Sequence, residues 1–126
     1  MTFFQKQHHD CPTCRCTAPI PEPDVFNRID KWFEDRGFFE DPDLYDQIRS
    51  KQVFKLAEEF GELAGNLVRG MFDKAKDDIG DMTVVLIGLA RLCGHDFKGC
   101  CEHAYGEIKD RKGRMVNGAF IKESDL

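Results

Sequence analysis

Six carboxylates near the middle of the chain repeat one spacing. They lie in two groups, each with offsets of zero, one and four residues: Glu58, Glu59 and Glu62, then Asp77, Asp78 and Asp81. On an α-helix these offsets fall at roughly 0°, 100° and 40°, so each group occupies one edge. Like charges about 4 Å apart repel by about 1 to 4 kcal/mol per pair even with generous screening, so we expect a counter-charge. A hard divalent cation such as Mg²⁺ takes oxygen ligands and keeps waters that a phosphate can replace. The pattern therefore predicts a phosphate-handling metal site.

A solvated acidic face is the alternative interpretation, because most runs of charge on helices are of that kind. Two observations favour the metal site. The acids interrupt segments that are otherwise apolar, and small residues beside them would let two helices approach closely: Gly61, Ala64, Gly65 and Gly80. Lys51 and Lys55 project along the same edge as the first group, where they would suit phosphate oxygens.

The segment that must position these acids is residues 51–91. Its first half has apolar residues at the spacing of one helical face: Val53, Leu56, Ala57, Phe60, Leu63, Ala64, Leu67 and Val68. Its second half is apolar almost all round, which is typical of a mostly buried helix. Gly70 is the expected end of the first helix and Asp73 the expected N-cap of the second. So short a turn predicts an antiparallel hairpin that brings the two groups of acids level.

The segments KLAEEFGEL and DDIGDMTVVLIGLARL resemble the two signature segments of the MazG-like, all-α nucleoside triphosphate pyrophosphohydrolases. That family's motif is Glu-x-x-Glu followed by Glu-x-x-Asp, which Glu59 and Glu62, then Asp78 and Asp81, match in position. The ending AYGEIKDRKGRMVNGAFIKE is similar to that of short stand-alone members, many of them encoded by bacteriophages. The resemblance runs from about residue 26 to the end. It departs at Asp78, where the family has Glu, and at Gly88, where many members have Asn.

The resemblance implies magnesium-dependent hydrolysis of nucleoside triphosphates to a nucleoside monophosphate and pyrophosphate, with Mn²⁺ as a possible substitute. Its implied metal ligands are the four residues that match the motif. Glu58 and Glu59 are the expected catalytic residues, with Glu58 supporting the ligands or orienting the attacking water, and Lys55 is expected to contact a phosphate. Two alternatives stay open: a narrower all-α diphosphatase acting on dUTP or dCTP, and a non-catalytic helical module that binds a partner.

Composition limits the classes of partner. The chain has 126 residues, 41% of them hydrophobic and 33% charged, as is ordinary for one soluble domain. A net charge of −5 argues against binding to duplex nucleic acid, which normally requires a basic face. The sequence has neither a signal segment nor a run of about 20 apolar residues, so we expect no membrane association. The expected location is the cytoplasm, that of the host if a phage encodes the chain.

Residues 1–23 differ from the rest and form the first of two expected regions, a Cys-, His- and Pro-rich tail before a domain at residues 24–126. Cys11 and Cys14 have the spacing of half a zinc site, which His8, His9 or Cys16 could complete. A redox pair and an unstructured tail with incidental cysteines are the other interpretations.

Flanking helices are expected on both sides of the hairpin, which predicts an all-α fold resembling a four-helix bundle, without strands. Asp24 and Asp96 are plausible N-caps for the first and fourth helices. Trp32 on the first is a candidate for binding the base, together with Phe38 and Phe39 beyond it. After the fourth helix comes a basic cluster, interpreted as helix capping or as a phosphate clamp: Lys109, Arg111, Lys112 and Arg114. The amount of apolar surface predicts a homodimer or homotetramer.

Overall fold

The computed structural model describes residues 21–126, which are mostly helical. Four helices follow one another: α1 (Val25–Asp35), α2 (Tyr45–Val68), α3 (Phe72–Leu92) and α4 (Phe97–Ile108). Two short strands come after them, β1 (Gly113–Val116) and β2 (Ala119–Lys122), and 3-10 turns lie at Pro42–Leu44 and Glu123–Asp125. The predicted zinc ligands lie outside the described residues: Cys11, Cys14, Cys16 and His9.

Helices α2 and α3 form the predicted antiparallel hairpin. Gly70 follows the end of α2 with a φ of 70°, and the Met71 N–H then donates to the Asn66 carbonyl across 2.8 Å. The prediction that Asp73 caps α3 is wrong. Met71 is the N-cap, and Asp73 lies in the first turn, where the helix dipole still favours a carboxylate. Helix α2 also starts at Tyr45, earlier than predicted, because the 3-10 turn before it leads directly into the helix.

The seam between α2 and α3 repeats every seven residues on each arm. Its buried and half-buried positions are Gln52, Leu56, Glu59, Leu63 and Asn66 on α2, then Met71 at the N-cap of α3, and Ala75, Asp78, Met82, Val85, Leu89 and Leu92 on α3. An average spacing of 3.5 residues is the pattern of two helices that stay in contact along their length. The single apolar face predicted for α2 is therefore divided. Leu56 and Leu63 face α3, whereas Phe60 is exposed.

Helix α1 packs on α3 through Phe33, which is buried against Gly88. A Cβ atom at position 88 would lie 2.8 Å from Cζ of Phe33, so no larger residue fits without a shift. Phe38 and Phe39 surround the same ring, with centroids 4.9 and 6.2 Å away. The close approach expected at Gly61 and Gly80 is not found, since a Cβ at either would meet nothing within 4 Å.

The segment after α4 is a β-hairpin, although the sequence was expected to contain no strands. Gly113 pairs with Lys122 and Val116 with Ala119. Asn117 and Gly118 form the turn with φ values of 49° and 83°, the two positive angles of a type I′ turn. The predicted N-caps Asp24 and Asp96 are both confirmed by side-chain hydrogen bonds to the backbone. Within residues 21–126, no helix has the length and apolar character needed to cross a membrane.

Candidate metal site

Three carboxylates converge on one face of the hairpin. Glu59, Glu62 and Asp78 each place an oxygen so that the three atoms lie within 4.8 Å of one another. The first two come from α2 and the third from α3, and Glu62 and Asp78 are equally distant from Gly70 along the chain. The turn geometry that the sequence predicted is what brings these acids level.

Glu59 is the innermost acid, with 5% of its surface exposed. Its Oε1 lies 3.0 Å from the Lys55 ammonium, but its Oε2 is buried without a hydrogen-bond partner among the described residues. A buried polar atom without a partner costs about 1 to 3 kcal/mol, and more when it is charged. Oxygen is the ligand that Mg²⁺ and Ca²⁺ prefer, so the orphaned Oε2 and its two neighbouring carboxylates fit a hard divalent cation.

Asp78 is equally buried and is held from the opposite arm. Asn66 donates a hydrogen bond of 2.6 Å from Nδ2 to Oδ2 of Asp78. Arg69 in turn donates from Nη2 to Oδ1 of Asn66 across 3.1 Å. The sequence interpretation missed both residues. The available signal was position, because Asn66 lies one seven-residue repeat after Glu59 and therefore on the seam.

Burial and neighbouring negative charge raise the pKa values of two acids at this site. The negative charge of Glu59, followed by burial, raises the pKa of Glu62. Burial, followed by the charge of Glu59, raises the pKa of Asp81. Asp81 lies on the same face but is outside the group of three converging oxygens, so the motif residues do not all meet at one point.

The two lysines predicted to contact phosphate differ. Lys55 lies between two acids, 3.0 Å from Glu59 and 3.6 Å from Glu58, and these contacts raise its pKa. Its ammonium already serves as a counter-charge to these two acids, so a bound phosphate would compete with them for it. Lys51 is exposed and forms no ion pair within the described part of the chain. Glu58 is itself exposed, beside the site rather than in it.

Trp32 lies on α1 and is half exposed. It lines a cleft of about 280 Å³ with Val25, Arg28, Ile29 and Val84. One face of its ring is covered by the Arg36 guanidinium, 4.0 Å from the centroid. Phe38 lies near both Phe33 and Trp32, with centroids 4.9 and 6.3 Å away, and Phe39 lies near Phe33, so both rings belong to the packing of α1.

The basic cluster is exposed after the end of α4 and in β1. Its members are Lys109, Arg111, Lys112 and Arg114. In residues 21–126, none of the four forms an ion pair with the acids of the hairpin.

Comparison with known proteins gives one relative. The chain is 40% identical over 67 residues to a Haemophilus phage HP1 protein described as an uncharacterized 18.2 kDa protein in the rep-hol intergenic region. The match covers 53% of this chain and 38% of that protein. No family model and no solved structure matches the chain.

Proposed function

We propose that the chain is a magnesium-dependent nucleoside triphosphate pyrophosphohydrolase, with residues 24–126 as its working domain and Mn²⁺ as a substitute cation. The observation that carries the proposal is Oε2 of Glu59, which is buried without a hydrogen-bond partner among residues 21–126 and lies beside two further carboxylates, one from each arm of the hairpin. An acidic surface without a ligand would be solvated, and its oxygens would not need a partner. The resemblance of the four motif acids to MazG-like enzymes supplies the class of reaction. A free nucleotide substrate agrees with a cytoplasmic location.

Each acid has a separate role in this proposal. Glu59, Glu62 and Asp78 hold the cation, and Asp81 completes the negative field on the same face. When bound, the cation supplies positive charge to the triphosphate and acidifies a water molecule. Glu58, on the exposed side of Lys55, accepts a proton from the attacking water as the water oxygen bonds to the α-phosphorus. The bond from that phosphorus to the bridging oxygen then breaks, and pyrophosphate leaves.

The rest of the nucleotide has a candidate binding surface on the same side of α3. Val84 follows Asp81 by three residues, a separation that places side chains about 5 to 6 Å apart on a helix. The cleft that Val84 forms with Trp32 and Ile29 is apolar and open, which suits a nucleobase. Lys51 forms no ion pair within residues 21–126 and can meet a phosphate oxygen, and the basic cluster after α4 is a second candidate.

A substrate panel tests this proposal. The full chain is incubated with each ribo- and deoxyribonucleoside triphosphate and Mg²⁺, and pyrophosphate is measured. We expect release that EDTA abolishes, that Glu59→Gln lowers and that Asp77→Asn leaves nearly unchanged. Activity confined to dUTP or dCTP would indicate the narrower diphosphatase. Inertness towards every nucleotide would contradict the proposal and favour a helical interaction module.

A second copy of the chain is the partner we propose for the opposite side of the hairpin. Six exposed apolar residues form what we call the apolar face: Val53, Phe60, Leu67, Phe72, Ile79 and Leu86. Each directly follows a seam residue, so it is turned about 100° to the same side. In antiparallel arms that rotation places both rows on one face, opposite Glu58 and Asp77, which directly precede seam residues.

The area and composition of the apolar face favour a second copy over a small ligand. Given these exposures, the six side chains offer roughly 600 Å² per copy, close to the ~800 Å² per partner of a standard interface. The monomer also has few buried hydrophobic residues in its described part: Phe33, Ala75, Val85, Ile87 and Leu92. Because both rows repeat every seven residues, the face is complementary to itself under a two-fold axis. We therefore propose a homodimer, with a tetramer as the alternative outcome.

A further inference from the structure

Asn66 is a buried amide on the seam between the two arms. It contacts Asp78 through Nδ2 and Arg69 through Oδ1. A guanidinium carries only donors and an ionised carboxylate only acceptors. The amide therefore has one orientation that satisfies both neighbours, because the flipped amide would place an acceptor against Asp78 and a donor against Arg69.

The bond from Asn66 fixes Asp78 without neutralising it. Among residues 21–126, Asn66 is the hydrogen-bond donor to this carboxylate, and the contact crosses from α2 to α3. Glu59 is treated differently, since its near neighbour Lys55 brings a full positive charge to 3.0 Å. A neutral donor leaves the negative charge of Asp78 available to a cation, whereas an ammonium would compete with that cation.

We infer that Asn66, held by Arg69, is a positioning residue that orients the Asp78 carboxylate for a divalent cation. The inference rests on the proposed metal site. It concerns a side chain outside the Glu-x-x-Glu and Asp-x-x-Asp pattern, and it accounts for a third buried polar residue on the seam, at the last seam position of α2. Partners that hydrogen-bond to metal ligands commonly change metal affinity by about 10- to 100-fold when removed.

Calorimetric titration of Mg²⁺ into the full chain tests the inference. Asn66→Leu keeps a similar shape but donates no hydrogen bond, and Arg69→Met removes the group that fixes the amide. Val85→Ala is the matched control, a truncation of a buried seam residue one repeat beyond Asp78. We expect the Mg²⁺ dissociation constant to rise about tenfold or more in Asn66→Leu, in line with such partners. The rise in Arg69→Met should be smaller, and Val85→Ala should lower the melting temperature without changing the affinity.

Three results would overturn the inference in distinguishable ways. Parent-like affinity in Asn66→Leu would overturn it while leaving the metal site intact. An equal loss of affinity in Val85→Ala would show a general packing effect and would also overturn it. A parent chain that binds neither Mg²⁺ nor Mn²⁺ would refute the metal site and this inference together. If circular dichroism shows that Asn66→Leu does not fold, Arg69→Met decides, because Arg69 is exposed and outside the seam.

Discussion

The two broad faces of the α2–α3 hairpin are opposites built on one seven-residue repeat. Residues that directly precede the seam positions Glu59 and Asp78 are acids, and residues that directly follow them are Phe60 and Ile79. The charged and the apolar residues are thus two positions apart on each helix, about 200° around its axis, with the seam between them. Few residues are buried between them in the described part of the chain. In a monomer, the acidic face would therefore lack a counter-charge and the apolar face would stay exposed to water.

The difference between the faces lies in what each requires. Clustered negative charge is relieved by a small cation, so the acidic face should respond to divalent metal and to pH. Exposed apolar surface is relieved by burial against another surface, so the apolar face should respond to protein concentration. Variants that break one response and leave the other intact test this separation.

The largest effect is expected from removing the innermost acid. Glu59→Gln keeps the shape of the side chain but removes an anionic ligand, so the rate of pyrophosphate release at saturating Mg²⁺ should fall by about 100-fold or more. Glu62→Gln should behave similarly, and Asp81→Asn should lower the rate through the field it adds. Asp77→Asn on the same face is the control and should stay within a few-fold. Glu59→Gln and Glu62→Gln should both keep the parent oligomeric mass. Parent-like turnover in Glu59→Gln would contradict its assignment as a metal ligand.

Breaking the apolar face should change mass but leave the metal site. Light scattering of the parent should give twice 14.5 kDa at micromolar concentration. The double variant Phe60→Lys and Ile79→Lys should give a monomer, because two charges would be buried at the interface. Val68→Lys is the control, since Val68 is exposed on α2 but outside the apolar face. A monomeric parent, or a double variant that stays dimeric, would refute the interface.

Radical footprinting tests the same interface without any substitution. Phe54, Phe60 and Phe72 are 75%, 60% and 70% exposed in the single chain, so their oxidation rates should be similar in a monomer. In a dimer, Phe60 and Phe72 should be protected several-fold relative to Phe54, which is outside the apolar face. Equal rates at all three rings at high protein concentration would argue against a second copy.

A smaller effect of opposite sign is expected at Lys55. Its ammonium lies 3.0 Å from Glu59, so it competes with a cation for that carboxylate. Lys55→Met should therefore tighten Mg²⁺ binding by a few-fold and lower the folding stability of the metal-free protein. If Lys55 also contacts phosphate, the KM for nucleotide should rise. Weaker Mg²⁺ binding in Lys55→Met would show that this lysine supports the site in another way.

The smallest effect concerns pH in the absence of metal. Glu62 and Asp81 have pKa values raised above their ordinary 4.5 and 3.8. A carboxyl group whose pKa is higher in the folded chain contributes stability below its unfolded pKa and loses it as the pH rises through the folded pKa. The melting temperature of the metal-free parent should therefore fall as the pH rises above 4.5. The combination of Glu62→Gln with Asp81→Asn should flatten that fall, and an unchanged slope would contradict the repulsion.

The hairpin and the level of its acids could be predicted from sequence because spacing alone determines them. The 3.6-residue period places Glu59 and Glu62 on one edge, and a glycine-terminated turn brings Asp78 opposite. Spacing does not show which part of the wide apolar stripe on α2 is covered by the partner helix. Phe60 and Leu63 look equivalent in the sequence, and only the angle of the partner helix exposes the first and half-buries the second.

Two other features were missed for different reasons. Asn66 was overlooked because a polar residue between apolar ones is usually at the surface, and its burial depends on the contact with Asp78 across the seam. The β-hairpin was overlooked although Asn117 and Gly118 are a strong local signal for a type I′ turn. The basic residues around that turn drew the interpretation towards a helix end instead.

Anomalous diffraction from crystals grown or soaked with Mn²⁺ tests the metal site most directly. We expect a peak on the acidic face of the hairpin, from an ion bound by carboxylate oxygens of Glu59, Glu62 and Asp78 at about 2.0 to 2.3 Å. Oε2 of Glu59, which has no partner among the described residues, should be one of the ligands. Crystals of Glu59→Gln should lack the peak. A parent structure with millimolar Mn²⁺ and no peak among these three residues would contradict the account.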